Sequence, residues 1–334
     1  QHCRFEEVAY LLLNGALPNS SQYQKFLEEL KGGRSLPPRL RTVLEQLPST
    51  THPMYVLRTA VSALGCMEPE SNERQGVKVA TRLLAILPTC LLYWYQFAHH
   101  GHRIEEESGA TDIASHFLTL LHPGYKIDET SVLALNTTLI LYAEHEFNAS
   151  TFAARVTTGT AADIYSAVTT AIGTLSGPLH GGANEEAMEL IASMSNAAEV
   201  PDRIRKMLAA KEKIMGFGHR VYKQHDPRSD IVKELVQRFA QEKGRAQQFE
   251  IAQAIEQTML QEKKLYPNVD FYAGLLYHFL DIPSGLFTPI FVLSRVSGWC
   301  AHILEQRADN RLIRPVAEYV GPTMQPFIAL ADRK

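Results

Sequence analysis

Apolar positions in this chain recur at helical spacing. Tyr23, Phe26, Leu27 and Leu30 fall at i, i+3, i+4 and i+7, behind a capping box of Ser21 with Gln24 and ahead of a Gly32-Gly33 stop. The spacing returns in Leu40, Val43, Leu44 and Leu47 between Pro37-Pro38 and Pro48, and in Leu57, Ala60, Val61 and Leu64 between Pro53 and Gly65. Helices are also predicted over 132–143, 162–175, 183–194, 201–211, 230–240, 249–264 and 287–306, each punctuated by glycine or proline. Strand-like alternation is confined to short pieces near 213–215 and 318–320. The predicted class is therefore all-α, helix packed on helix. The most apolar stretch, 83–98, is too short to span a bilayer, holds Pro88 in mid-run and reads as one core helix or two.

Charge is distributed unevenly. Residues 199–265 carry most of the Lys/Glu-rich amphipathic helices, whereas 129–183 and 283–304 are apolar with isolated polar residues. A smaller, more solvated domain inserted into a large apolar one would produce this pattern. It would also leave a cleft where the chain crosses over, at 177–184 and around 283–285. Overall, 334 residues with 45% hydrophobic and 21% charged side chains exclude disorder, and a net charge of −3 without like-charge blocks favours neither nucleic acid nor an anionic membrane. Cys3, Cys66, Cys90 and Cys300 are far apart, which suits reduced, buried thiols rather than a zinc site or disulfide frame. A cytoplasmic location is expected, with the mitochondrial matrix, after removal of a transit peptide, as the alternative.

Four polar islands exceed what helix packing asks for. Glu144 to Thr151 places His145 at the end of an apolar helix, where a hydrogen-bonded core histidine is the commoner reading. Gly177 to Asn184 surrounds His180 with glycines, which admit close approach of backbone and ligand. Gly216 to Arg228 combines a glycine-rich loop with His219, Arg220, Lys223 and Arg228, suited to a phosphate or carboxylate ligand but matching no phosphate-binding fingerprint. Pro267 to Tyr272 sets Asp270 among apolar residues at a helix start, where a plain N-cap is the simpler reading. Arg295 lies inside an apolar helix and calls for a partner anion, and Arg314 precedes Pro315 in the tail. His99, His100 and His102 have no metal-ligand spacing and read as a surface turn, so no metal is expected.

Taken in order, EHEFNAST, GPLHGGANE, GFGHRVYKQHDPR, NVDFYAG, SRVSGW and IRP resemble the citrate synthase family along nearly the whole chain. The stretches LLYWYQFAHHGHRI and LYAEHEFNASTF look more like the 2-methylcitrate synthases, which condense propionyl-CoA with oxaloacetate, than like ordinary citrate synthases using acetyl-CoA. The resemblance implies an all-α homodimer with a large domain at 1–181 and 282–334 and a small domain at 182–281 that closes over the cleft. It implies Asp270 as the base, His180 as the donor to the enolising thioester oxygen, and His219 as the group polarising the ketone. His145, Arg228 and Arg295 would hold oxaloacetate, Arg314 would reach into the partner's site, and Lys223 with Arg220 would meet CoA phosphate. Acyl-CoA is then a substrate, and no cofactor is implied.

Elementary chemistry makes that assignment intelligible. A thioester C–H is a very weak acid, so a carboxylate removes its proton only when a preorganised donor meets the developing enolate oxygen. Oxaloacetate is a dianion, and guanidiniums match it through charge-assisted hydrogen bonds of about 1.5–3 kcal/mol each. The contrasting reading is a non-catalytic helical scaffold, which keeping His180, His219 and Asp270 together argues against.

Overall fold

The computed structural model describes residues 3–222 and 224–333. Among them are fifteen α-helices and no β-strand. The first seven are α1 (Phe5–Asn14), α2 (Ser20–Gly32), α3 (Pro38–Glu45), α4 (Pro53–Met67), α5 (Val77–His100), α6 (Ile113–Leu121) and α7 (Glu129–Tyr142). They are followed by α8 (Ala149–Gly159), α9 (Ile164–Leu175), α10 (Ala183–Ala192), α11 (Val200–Ala209), α12 (Pro227–Glu242), α13 (Ala246–Lys263), α14 (Val269–Phe279) and α15 (Phe287–Ala308).

Local chemistry starts most of them. Asp112, Asp128 and Asp163 each accept the N–H of a serine three residues on and take its hydroxyl on the second carboxylate oxygen, so one D-x-x-S device opens α6, α7 and α9. Proline occupies the first turn of α3, α4 and α12, where its missing N–H costs nothing. The capping box of α2 is formed by Asn19 with Gln22, two residues before the expected Ser21 and Gln24. Asparagine caps as well as serine, so the earlier pair starts the helix two residues sooner.

Two expectations are corrected. The stretch around Pro88 is one unbroken 24-residue helix, so α5 is long and apolar enough to cross a membrane, as is the segment from Ser284 to Ala308. In both, 83% of the apolar window is buried against the rest of the protein, so their apolarity is used in internal packing. The pieces at 213–215 and 318–320 form no strand; the nearest feature is an isolated antiparallel bridge between Phe217 and Pro267. Of the cysteines, Cys90 and Cys300 are buried, but Cys66 is exposed on α4.

Helix α15 is the hub of one body, packed on α1, α4, α5, α7, α8 and α9. Helices α10 to α14 pack chiefly on one another, with α14 seated between α10 and α12. At Gly298 an added Cβ would stand 2.4 Å from the carbonyl oxygen of Ala143, so only glycine lets α15 approach the end of α7 this closely. That approach sets Arg295 beside Tyr142. Beyond α15 the chain runs extended and exposed, with Val316, Val320, Met324 and Phe327 facing solvent at 92%, 91%, 98% and 86% of their surface.

Candidate active site

A cleft of about 920 Å³ opens where the end of α7 and the first half of α15 face the start of α14 and the two glycine-rich loops. His145, His180, His219, Arg220, Arg228, Asp270 and Arg295 all line it. Five of the six sequence motifs therefore converge on one cavity. Arg314 lies in the exposed tail and is not part of the cleft wall. Lys223 lies outside the described residues.

The His219 loop reaches the cleft because it is tied to the chain preceding α14. The Gly218 N–H donates to the Tyr266 carbonyl and the Asn268 N–H to the Gly216 carbonyl, both at 2.9 Å. Gly216 has φ +85°, and an added Cβ there would stand 2.9 Å from Phe271, so the turn requires glycine on two counts. Within the loop, Nδ1 of His219 accepts the N–H groups of Val221 at 3.1 Å and Tyr222 at 3.2 Å. A nitrogen that accepts carries no proton, so when the ring is neutral its proton sits on Nε2, which lies 3.5 Å from Arg228 Nη2.

The same logic fixes His180, which a turn from Gly177 presents to the start of α8. The Ser150 N–H donates to His180 Nε2 at 3.1 Å, leaving the proton of the neutral ring on Nδ1. Ser150 Oγ lies 2.9 Å from the same nitrogen and accepts from Trp299 Nε1 at 3.1 Å. Burial, aided by the charge of Arg295, pushes the His180 pKa down to about 4, so the ring is a neutral donor near pH 7. His145 is likewise shifted down, by burial and then by Arg228, His219 and Arg295. Its ring stands 5.1 Å from that of His219, and Asn148 binds its carbonyl at 3.1 Å.

Two guanidiniums supply positive charge. Arg228 is held by Asp226, with Nε to Oδ1 at 3.0 Å and Nη2 to Oδ2 at 2.9 Å. Asp226 is only 2% exposed, caps α12 and also accepts the Val269 N–H at 3.1 Å. One buried carboxylate thus fixes both Arg228 and the first turn of α14. Arg295, 2% exposed, donates from Nε to the Tyr142 carbonyl at 2.6 Å and lies 4.6 Å over the Phe291 ring. No carboxylate among the described residues ion-pairs with it, and burial lowers its pKa only to about 10, so it stays charged.

Asp270 sits in the first turn of α14, where Asn268 accepts its N–H at 3.0 Å. Its Oδ1 accepts the Tyr142 hydroxyl at 2.6 Å. Burial raises its pKa; the Tyr142 hydrogen bond and the charge of Arg228 oppose the rise. The cleft therefore combines a carboxylate more basic than usual, neutral imidazole donors and two cations. Such a set can bind a dianion and abstract a proton from carbon beside a carbonyl.

Sequence reasoning found these groups but not their supports. Ser150, Asp226, Tyr142 and Trp299 all lie in or next to the quoted motifs, yet carry no chemical signal of their own. The one available hint was Asp226, an isolated acid two residues from an arginine in a basic loop.

Residues 1–316 match the family described as citrate synthase, C-terminal domain. A curated relative, 2-methylcitrate synthase of Shewanella oneidensis, is 49% identical over all of this chain and 88% of its own length. Citrate synthase 2 of Bacillus subtilis is 43% identical over all of this chain and 90% of its own. Among solved structures, the ternary complex of carboxymethyl coenzyme A and oxaloacetate with citrate synthase from Thermoplasma acidophilum superposes with a TM-score of 0.92 at 32% identity. That match covers 99% of this chain and 89% of that one. With residues 1–316 matched by the family and five of its six motifs gathered in one cleft, this chain belongs to the citrate synthase family of condensing acyltransferases.

Proposed function

We propose that the protein is a 2-methylcitrate synthase, joining propionyl-CoA to oxaloacetate and releasing CoA. The observation that carries the condensation chemistry is the pairing of Asp270 with a His180 whose protonated Nδ1 is fixed by the Ser150 N–H. Asp270 takes the α-proton of the acyl thioester while His180 Nδ1–H meets the oxygen that becomes the enol. The nucleophilic carbon then attacks the oxaloacetate ketone, polarised by His219 Nε2–H. Water finally hydrolyses the thioester of the condensed product. Arg228, Arg295 and His145 hold the two oxaloacetate carboxylates, and Arg220 with Lys223 meets CoA phosphate.

In this reading, residues 182–281 form the smaller domain and close over residues 1–181 and 282–334, shielding the thioester from premature water. A second copy of the chain covers the apolar tail, and the partner subunit's Arg314 completes each oxaloacetate site. The preference for propionyl-CoA is supported by the 49% identity to the Shewanella oneidensis 2-methylcitrate synthase. The second reading, citrate synthase with acetyl-CoA, is supported by the 43% identical Bacillus subtilis relative. The two differ by one methylene in the acyl pocket, worth about 1–3 kcal/mol of discrimination. Thiol release from propionyl-CoA and acetyl-CoA, measured in parallel with oxaloacetate, decides between them. A higher kcat/KM for propionyl-CoA is expected, and an acetyl-CoA preference overturns the choice.

A further inference from the structure

Tyr142 ends α7 with its side chain buried at 1% exposure and touches three groups of the cleft. Its ring packs 4.5 Å from that of Phe291, its carbonyl accepts Arg295 Nε, and its hydroxyl donates to Asp270 Oδ1 at 2.6 Å. A phenol beside two well-placed cations is not required for dianion binding. Its hydroxyl instead donates to the carboxylate at the start of α14.

We propose that Tyr142 is a positioning residue for the base: its hydroxyl occupies Oδ1 of Asp270, leaves Oδ2 for the proton on carbon, and keeps the buried carboxyl ionised. The proposal rests on the condensation chemistry argued above. With the Asp270 N–H held by Asn268, the hydroxyl contact restrains rotation of the carboxylate about its last bond. A hydrogen bond to the charged form stabilises that form, against the desolvation that burial imposes. The phenol is itself held well above its ordinary pKa by burial and by Asp270, so it stays protonated and remains a donor. The other charged or titratable groups around Asp270 are Arg228 and Asp226 at the start of α12, Arg295 on α15, and Tyr277 on its own helix, with His145, Glu146, His180, His219 and Arg220 elsewhere in the cleft wall. None of these changes when Tyr142 loses only its hydroxyl.

Tyr142→Phe keeps the ring against Phe291 and the carbonyl for Arg295, so oxaloacetate binding measures whether the cleft is intact. The Asp270 carboxyl is followed directly by carbon-13 NMR of aspartate-labelled protein, its signal identified by its loss in Asp270→Asn. In Tyr142→Phe the carboxyl is expected to titrate at higher pH. The acidic limb of kcat/KM moves up by the same amount, and kcat falls about tenfold to a hundredfold. The KM for oxaloacetate stays within about twofold of the parent. An unchanged Asp270 titration or an unmoved acidic limb overturns the proposal. Absence of turnover by the parent with either thioester instead defeats the proposed function, and the NMR titration still decides whether Tyr142 governs Asp270.

Discussion

The Ser150 N–H donates to Nε2 of His180 at 3.1 Å, and this contact determines which imidazole nitrogen carries the proton toward the cleft. Because the donor is a backbone group, the tautomer survives loss of the serine side chain. Ser150→Ala is therefore expected to keep kcat within about tenfold of the parent. His180→Ala removes the donor to the enolising oxygen and is expected to lose about 10²–10³ in kcat, with oxaloacetate affinity unchanged. Steady-state kinetics with calorimetric titration of oxaloacetate checks both. Equal damage from the two substitutions would show that the hydroxyl, not the N–H, sets the tautomer.

Asp226 links substrate binding to the placement of the base. It pairs with Arg228 and accepts the Val269 N–H from within a 2% exposed site, so Asp226→Asn leaves a guanidinium without its counter-charge. Breaking a buried pair from one side costs about 3 kcal/mol or more. Urea unfolding is expected to show that loss, and the oxaloacetate KM to rise about tenfold as Arg228 leaves its alignment. A stable variant with unchanged KM would mean that Arg228 is positioned by other contacts.

The groups with chemistry were legible because their surroundings were wrong for packing: His180 among glycines, Arg295 in an apolar helix, Asp270 at a helix start. The groups that orient them were not. Ser150 acts through its backbone N–H, which every residue except proline has, and Tyr142 looked like one more apolar position on α7. The fold followed the same division. Helical periodicity marked α2, α3 and α4; α1 was missed although Phe5, Val8, Ala9 and Leu12 form the same stripe, and α6 and α8 were missed with it. Long α5 was misjudged because a buried central helix is apolar on all sides, which hides both its period and its ends.

Buried Glu6 and His116 and partly buried His180 set opposing pH trends in stability. His180 and His116 are held down to about 4 and about 3 by burial, so the unfolded chain binds their protons below pH 6.5 and the folded one does not. Their contribution is complete above 6.5 and is lost as pH falls. Glu6, 0% exposed, is raised by burial to about 7, so its contribution is complete below 4.5 and is lost as pH rises through 7. Glu6→Gln removes the second trend alone. Its stability relative to the parent is expected to increase between about pH 5 and pH 7, by at most about 1.4 kcal/mol per pH unit. Urea unfolding across that range tests the sign; a constant difference would show that Glu6 is already ionised in the folded protein.

The exposed tail makes a different kind of prediction, because Arg314 and Asp270 are proposed to serve the same site from different subunits. Neither Asp270→Asn nor Arg314→Ala alone then forms a competent site in its own homodimer. In a hybrid dimer, both defects fall in one site, and the other has an intact Asp270 facing an intact Arg314 from its neighbour. Random exchange of subunits would leave about a quarter of all sites intact. Mixing the two inactive proteins under conditions that allow exchange is expected to restore activity to about that fraction, with light scattering reporting a dimeric mass. If activity stays absent while mass spectrometry detects hybrids, Arg314 acts within its own subunit; an active Arg314→Ala homodimer would show that it does not serve the site. The apolar surface of Val316, Val320, Met324 and Phe327 would then need another occupant.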